Sequence, residues 1–306
     1  MKKFPILYIL SNGRSGSTIL DVMIGSHPEI WTVGELQNLP KDYKANKICG
    51  CGNHLIKCEF WAPISSKIPI FNIPDTFSSI SYFRDKYPSG KVIRFNMLKF
   101  LLSGKPGKWK NGCYEYGLAN HQLFQQIKVA AENSLGTEIK WIADASKDPY
   151  RLIFLKSTGF FDIKVIHITK DPRALTYSMT KEKFKSLSKC IRFTGKWFFE
   201  NLTMTIIGRR HFSEDEFIHI RYEDLVTNPS EVFQKIGNKF KINFDGFSAS
   251  NFRAYKNHGI SGNQSRWRKS SLELDTTWKT KFNKGYSLMS WIISYPLASI
   301  YGYKYK

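Results

Sequence analysis

The chain has 306 residues, 42% hydrophobic and 15% aromatic, which is long enough to bury a full core and too aromatic for a disordered chain. Its 46 lysines and arginines outnumber 25 aspartates and glutamates by +21, a balance that suits phosphate-bearing cofactors, acidic glycans, nucleic acid or an anionic membrane surface without choosing among them. Five cysteines, an odd number, argue against a disulfide framework and for a reducing compartment.

In chain order, "MKKFPILYIL" imitates a leader, but Pro5 and the following "SNGR" interrupt it too early, so a buried first strand is expected. "STILDVMIGS" reads as a helix stopped by Gly25 and Pro28. From Glu35 to about Lys110 the chain is rich in Pro, Gly and Ser, the natural place for a substrate-specific insertion. Within it, "CGCGNHLIKCEFW" offers Cys49, Cys51, His54 and Cys58 as four soft ligands for zinc. The spacing matches no known finger and paired C-x₂-C knuckles are absent, so a structured turn or redox-sensitive loop is expected, with no metal.

Further on, "YEYGLANHQLFQQIKVAAENS" has helical periodicity, "IKWIADA" reads as strand, and "PYRLIFLKS" as a short helix opened by Pro149. "IKVIHIT" is a strand, followed by the helical "PRALTYSMTKEK" and "CIRFTGKWFFENLTMTIIG". "EFIHIRYEDL" is expected as a strand and "PSEVFQKIGNKF" as a helix. "SLMSWIISYPLASIYGY" contains Pro296 and falls short of the roughly 20 apolar residues of a membrane span, so it is read as a core helix. No repeat or low-complexity linker interrupts the alternation. One α/β domain over 1–306 is expected, with a central parallel sheet flanked by helices.

The segment "SNGRSGSTIL" decides the chemistry. Laid over the G-x-x-x-x-G-K-[ST] phosphate loop, Ser11 stands for the first glycine, Gly16 for the second, Ser17 for the lysine and Thr18 for the hydroxyl. The lysine is missing, but the nest of N–H groups at a helix N-terminus remains, and Arg14 supplies a forked cation just upstream. Lys147 at the end of one strand and Lys170 at the end of the next, with Ser178 on the following helix, add pieces of an anion site where α/β sheets collect ligands.

With these pieces the chain resembles the sulfotransferases that use 3′-phosphoadenosine-5′-phosphosulfate (PAPS), over most of its length. "GRSGSTIL" is similar to the family's 5′-phosphosulfate loop, which implies Gly13, Arg14, Ser15, Gly16, Ser17 and Thr18 as donor-binding residues. "ITKDPRALTYS" is similar to the 3′-phosphate motif, usually R-[DN]-P-[RK]-x-x-x-x-S, which implies Lys170 and Ser178; here Lys replaces the usual Arg and loses its bidentate fork unless Arg173 compensates. "SHPEIWTVGE" and "DASKDPYRL" resemble stretches of tyrosylprotein and bacterial members, implying Glu35 as base and Lys147 as an assisting cation beside Arg14. "RYEDLVTNP" resembles bacterial and carbohydrate members, with Tyr222 either near the adenine or anchoring a strand end. "GISGNQSRWRKSSLELDTTW" resembles a cofactor-closing loop over about 256–275, implying 3′-phosphate contact by at least one of Arg266, Arg268 and Lys269.

The resemblance implies a sulfotransferase architecture and in-line transfer of a sulfuryl group from PAPS, leaving PAP, to an acceptor hydroxyl without magnesium. A glycan or glycolipid acceptor is the preferred reading, in the cytoplasm and with peripheral contact to an anionic membrane as a further expectation. His27 is read as a packing residue, His167 as a satisfied core histidine, and His258 as an alternative base. The rival readings are a P-loop small-molecule kinase, disfavoured by the missing lysine, and a basic nucleic-acid-binding protein, disfavoured by the lack of a reader motif.

Overall fold

A computed structural model describes residues 2–68, 98–105, 110–180, 186–245, 247, 252, 255, 257–262 and 273–305. Five strands form one mostly parallel sheet with helices on its flanks: β1 (Phe4–Ser11), β2 (Ile30–Thr32), β3 (Trp141–Lys147), β4 (Phe161–Thr169) and β5 (Phe217–Arg221), in the order β2-β3-β1-β4-β5. The apolar run of β1 is buried almost throughout, as a strand covered on both faces requires. Pro5 is tolerated because it stands at the strand's second residue, where the ladder is only beginning. β2, a strand that the sequence patterning does not single out, pairs parallel to β3 with Ile30 opposite Trp141, Trp31 opposite Ile142 and Thr32 opposite Ala143.

The helices in chain order are α1 (Ser17–Ile24), α2 (Leu39–Lys44), α3 (Trp61–Lys67), α4 (Lys110–Leu135), α5 (Pro149–Thr158), α6 (Pro172–Thr180), α7 (Leu187–His211), α8 (Tyr222–Thr227), α9 (Pro229–Phe240), α10 (Thr277–Lys281) and α11 (Lys284–Ile300). Local chemistry sets their ends. In α5, Asp148 caps the Tyr150 N–H at 2.8 Å, Pro149 fills the first position, and Gly159 takes the left-handed turn at φ 75°. Two expectations are corrected. The strand over "EFIHIRYEDL" stops at Arg221, and Tyr222 opens α8, because the apolar alternation ends there and Glu223 and Asp224 favour a first helical turn. The C-terminal helix α11 buries Trp291, Ser294, Leu297 and Ala298 but leaves Leu288, Ile292, Tyr295 and Ile300 exposed, so only one face belongs to a core. Among the described residues, no helix is long and apolar enough to cross a membrane.

The Cα positions gather into two compact units. One comprises Met1–Ile9, Thr18–Val165 and Gly246–Lys269; the other comprises Leu10–Ser17, Ile166–Asp245 and Ser270–Lys306. Large buried side chains of the first include Trp61, Tyr8, Tyr116, Phe124 and Phe154. In the second, Trp197, Trp291, Leu297, Tyr301 and Tyr303 form a continuous cluster with Leu175.

Candidate active site

In the first unit, Glu35 and Lys147 form an ion pair, with Lys147 Nζ 2.6 Å from Glu35 Oε1 and both side chains 18% exposed. Backbone geometry holds them. Beyond β2 the pairing continues as Val33 N donates to Ala143 O at 3.1 Å and Ala145 N to Gly34 O at 2.8 Å. Gly34 then turns at φ 70°, a conformation that favours glycine, and Glu35 N donates to Ile260 O at 2.9 Å. The second carboxylate oxygen, Oε2, accepts from Asn38 Nδ2 at 3.2 Å. Lys147 itself lies at φ 66°, so the last residue of β3 leaves the strand's alternation and its side chain is re-aimed.

Beneath this pair runs a buried polar network that sequence reasoning missed. Asp144 Oδ2 accepts from Arg151 Nε at 3.0 Å, while Arg151 Nη1 reaches Tyr116 Oη at 2.7 Å and Asn120 Oδ1 at 2.8 Å. Asp144 Oδ1 accepts from Ser146 N at 2.9 Å, and Ser146 Oγ accepts from Gln37 N at 3.0 Å, which joins the network to the turn that carries Glu35. A fully buried Arg–Asp pair is weak evidence for stability, but removing one partner strands the other charge. Arg151→Met is therefore expected to lower unfolding stability by about 3–5 kcal/mol, read from chemical denaturation midpoints. A loss below about 1 kcal/mol would show that Asp144 finds other compensation.

In the second unit, the 11–16 turn leaves β1 for α1. Arg14 sits exposed at φ 72°, and Gly16 at φ 89°. A Cβ on Gly16 would come within 2.7 Å of Tyr222 Cε2 and closer still to Cδ2, so only glycine lets the turn lie against that ring. Among the described residues, Ser11 Oγ, Asn12 Oδ1 and Ser15 Oγ are buried with no hydrogen-bond partner, while Asn12 Nδ2 donates to Glu200 Oε2. Ser17 and Thr18 are buried in the first turn of α1. Three orphan oxygens in one turn are unusual, because buried polar atoms normally find partners.

Lys170 stands just past β4, half-buried, its Nζ 4.7 Å from the centroid of Tyr222. Burial pushes its pKa below the ordinary lysine value, opposed by Glu223, Asp275 and Asp171 and aided by the charge of Arg14. Burial likewise raises Glu223, whose Oε1 accepts from Asp171 N at 3.0 Å. Glu223 and Asp275 are the two acids around Lys170 that the motif reading did not include. Ser178 Oγ donates to Leu175 O at 2.8 Å within its own helix. Tyr222 lies at the start of α8 and is shared by the turn and Lys170, rather than ending a strand.

Arg173 does not stand in for the missing fork at Lys170. It is buried, with Nε 3.0 Å from Asp171 Oδ1 and Nη2 2.7 Å from Asp171 Oδ2, and its guanidinium packs over Trp278, Trp291 and Tyr305. Arg266, Arg268 and Lys269 lie outside the described residues. His27 is a packing residue, its Nδ1 accepting from Glu29 N at 3.2 Å beside Phe247. His167 is a core histidine paired with Asn201 Oδ1 at 3.0 Å, and burial lowers its pKa to about 4. His258, the alternative base, is buried with Nδ1 3.2 Å from Cys58 Sγ, within the cysteine cluster.

Residues 114–246 match the model of the sulfotransferase family. That match covers under half of the chain and supports a kinship with the sulfotransferases. No curated protein matches the sequence. Among solved structures, the sulfotransferase domain of the Synechococcus PCC 7002 olefin synthase is similar at 18% identity, with 100% of this chain and 98% of that chain covered at a TM-score of 0.58. The sulfotransferase domain from the curacin biosynthetic pathway is similar at 15% identity, with 100% of both chains covered at a TM-score of 0.54. These likenesses establish a shared α/β sulfotransferase fold. The family match supports a sulfotransferase enzyme, and the turn bearing Arg14, with Lys170 and Tyr222, is the candidate anion site.

Proposed function

We propose that residues 1–306 act as one functional domain that moves a sulfuryl group from PAPS to an acceptor hydroxyl. The observation that carries this reading is the 11–16 turn: a glycine pressed on Tyr222, buried hydroxyls without partners, and an exposed guanidinium at the mouth of a helix. These features fit a phosphate-bearing group, since hydroxyls and N–H groups aimed at one spot are satisfied by anionic oxygens. The N–H groups of Gly13, Ser15, Gly16, Ser17 and Thr18, with Arg14, would hold the 5′-phosphosulfate. Lys170, seated on Tyr222, would hold the 3′-phosphate, with Ser178 Oγ turning from Leu175 O to join it. Tyr222 forms a floor under both, and Arg266, Arg268 and Lys269 are proposed to close over the 3′-phosphate.

When bound, PAPS supplies an activated sulfuryl group whose transfer follows a loose in-line path, by analogy with phosphoryl transfer. What the chain contributes is position and charge. Glu35 would accept the proton of the acceptor hydroxyl; Asn38 Nδ2 orients that carboxylate, and the Ile260 carbonyl holds the backbone of the residue. Lys147 would hold Glu35 before the acceptor arrives and stabilise charge on the leaving phosphate afterwards. No magnesium is assigned, because no β,γ-phosphate pair needs bridging. The acceptor we prefer is a hydroxyl of a glycan or glycolipid, met in the cytoplasm or at an anionic membrane surface, to which a charge of +21 would draw the protein.

The test is a thermal-shift titration with PAP. A rise in melting temperature that does not need magnesium is expected. The affinity should weaken as pH rises through the lowered pKa of Lys170, because only the ammonium form attracts phosphate; the loss should start below the range of an ordinary lysine. No response to PAP, or a magnesium-dependent response to ATP alone, would overturn the reading in favour of a kinase.

A further inference from the structure

We propose that Cys49, Cys51, Cys58 and His258 form a closed structural zinc site. Their ligand atoms lie within 4.8 Å of one another, and three of the four residues are buried. Zinc bonded to thiolates at about 2.3 Å and to imidazole at about 2.0 Å separates tetrahedral ligands by about 3.8 Å between sulfurs and about 3.5 Å between sulfur and nitrogen. Here Cys58 Sγ is 3.6 Å from Cys49 Sγ and 3.8 Å from Cys51 Sγ, and His258 Nδ1 is 3.2 Å from Cys58 Sγ and 3.9 Å from Cys49 Sγ. A disulfide would use two thiols and leave the third and the imidazole without purpose.

The surrounding chain builds the site. Gly52, at φ 92°, closes a turn in which its N–H donates to Cys49 O at 2.9 Å, bringing Cys49 and Cys51 to one side. Gly50 N donates to Gly259 O at 3.0 Å, and a Cβ on Gly50 would come within 2.7 Å of Asn257 O, so the turn is pressed directly on the segment that carries His258. The imidazole packs against both Trp31 and Phe60, with centroids 5.9 and 5.1 Å away, and Trp61 Nε1 donates to the His258 backbone oxygen at 2.7 Å. Nδ1 faces the sulfurs, and Nε2 lies 3.8 Å from Glu59 Oε1, within ion-pair range but beyond a hydrogen bond. His54, the nearby histidine in sequence, turns away, its Nδ1 2.7 Å from Asn46 O. The fourth ligand thus arrives 200 residues after Cys58.

Four protein ligands leave no open position, so the ion is a staple and not a Lewis acid for substrate. Two residues beyond His258, Ile260 donates to Val33 O at 2.9 Å and accepts from Glu35 N at 2.9 Å. His258 is therefore a positioning residue for Glu35, a consequence that rests on the role proposed for Glu35 above; the metal site itself does not.

The full chain, purified without chelator, is expected to carry one zinc ion by elemental analysis, released when the thiols are modified. Cobalt(II) substitution should give tetrahedral ligand-field bands and thiolate-to-cobalt charge transfer. His258→Cys should keep one metal and shift the cobalt spectrum toward four-sulfur coordination, whereas His54→Ala should leave stoichiometry and spectrum unchanged. Removing the ion should lower the melting temperature and the turnover while sparing PAP affinity; loss of stability and metal without loss of turnover would sink only the link to Glu35. Metal-free protein that takes up no cobalt, a disulfide among these cysteines, or a His258→Cys spectrum identical to wild type would overturn the site.

Discussion

Glu35→Gln is expected to lower sulfuryl transfer by about 10²–10⁴-fold, the usual contribution of a positioned general base, while PAP affinity stays within about twofold of the parent. The substitution is nearly isosteric. Through its single carbonyl oxygen glutamine can still accept from Lys147 Nζ, the bond from Asn38 Nδ2 to the second oxygen is lost, and the backbone bond from residue 35 to Ile260 O is untouched, so the turn should persist. What is lost is the ability to take a proton. The measurement pairs transfer of labelled sulfate from PAPS into a pool of glycan and glycolipid acceptors with PAP thermal shifts. Unchanged turnover would remove Glu35 from its role, and a fall in PAP affinity equal to the fall in turnover would recast it as a donor-binding or structural residue.

Arg14→Gly should move stability and function in opposite directions. A non-glycine residue at φ 72° carries backbone strain of order 1–3 kcal/mol, and glycine relieves most of it at the cost of greater unfolded-state entropy, roughly 0.5–1 kcal/mol. The ligand-free protein is thus expected to gain up to about 1 kcal/mol in denaturant unfolding. PAP binding should weaken by about 10–100-fold, since a hydrogen bond to a charged group contributes roughly 1.5–3 kcal/mol. A variant that is more stable and still binds PAP as tightly as the parent would show that Arg14 does not touch the donor. Arg14 and Lys147, the two cations proposed nearest the chemistry, both sit in this left-handed region, as residues held in strained conformations at functional sites often do.

Much of the fold is legible in local patterns. The strand and helix of "YILSNGRSGSTILD", the β3–α5 unit with its Asp148 cap and Pro149, and the long helices α4 and α7 all follow from periodicity and punctuation over a few residues. The local geometry of the candidate segments is legible where one stretch holds it, as with the 11–16 turn after β1 and Lys147 at the end of β3. The reading is weaker where a side chain answers to distant partners. Arg173 matches a motif position that favours phosphate, yet three aromatic rings and Asp171 claim its guanidinium. Arg151 looks like an ordinary helix residue, yet it is buried against Asp144, Tyr116 and Asn120.

By itself, then, the amino-acid order determined most of the strands and helices, that a glycine- and hydroxyl-rich turn follows the first strand, and that three thiols lie within ten residues of one another. Only the tertiary structure decided that His258 and not His54 completes the cysteine cluster, that Ile260 fixes the backbone of Glu35, and that Lys170 rests on Tyr222. The physical reason is range. Backbone dihedrals, caps and apolar spacing act over a few residues and leave their mark in the local pattern, whereas a metal-ligand set, a bridging carbonyl or a cation–ring contact depends on segments that meet only after folding has closed loops of tens to hundreds of residues.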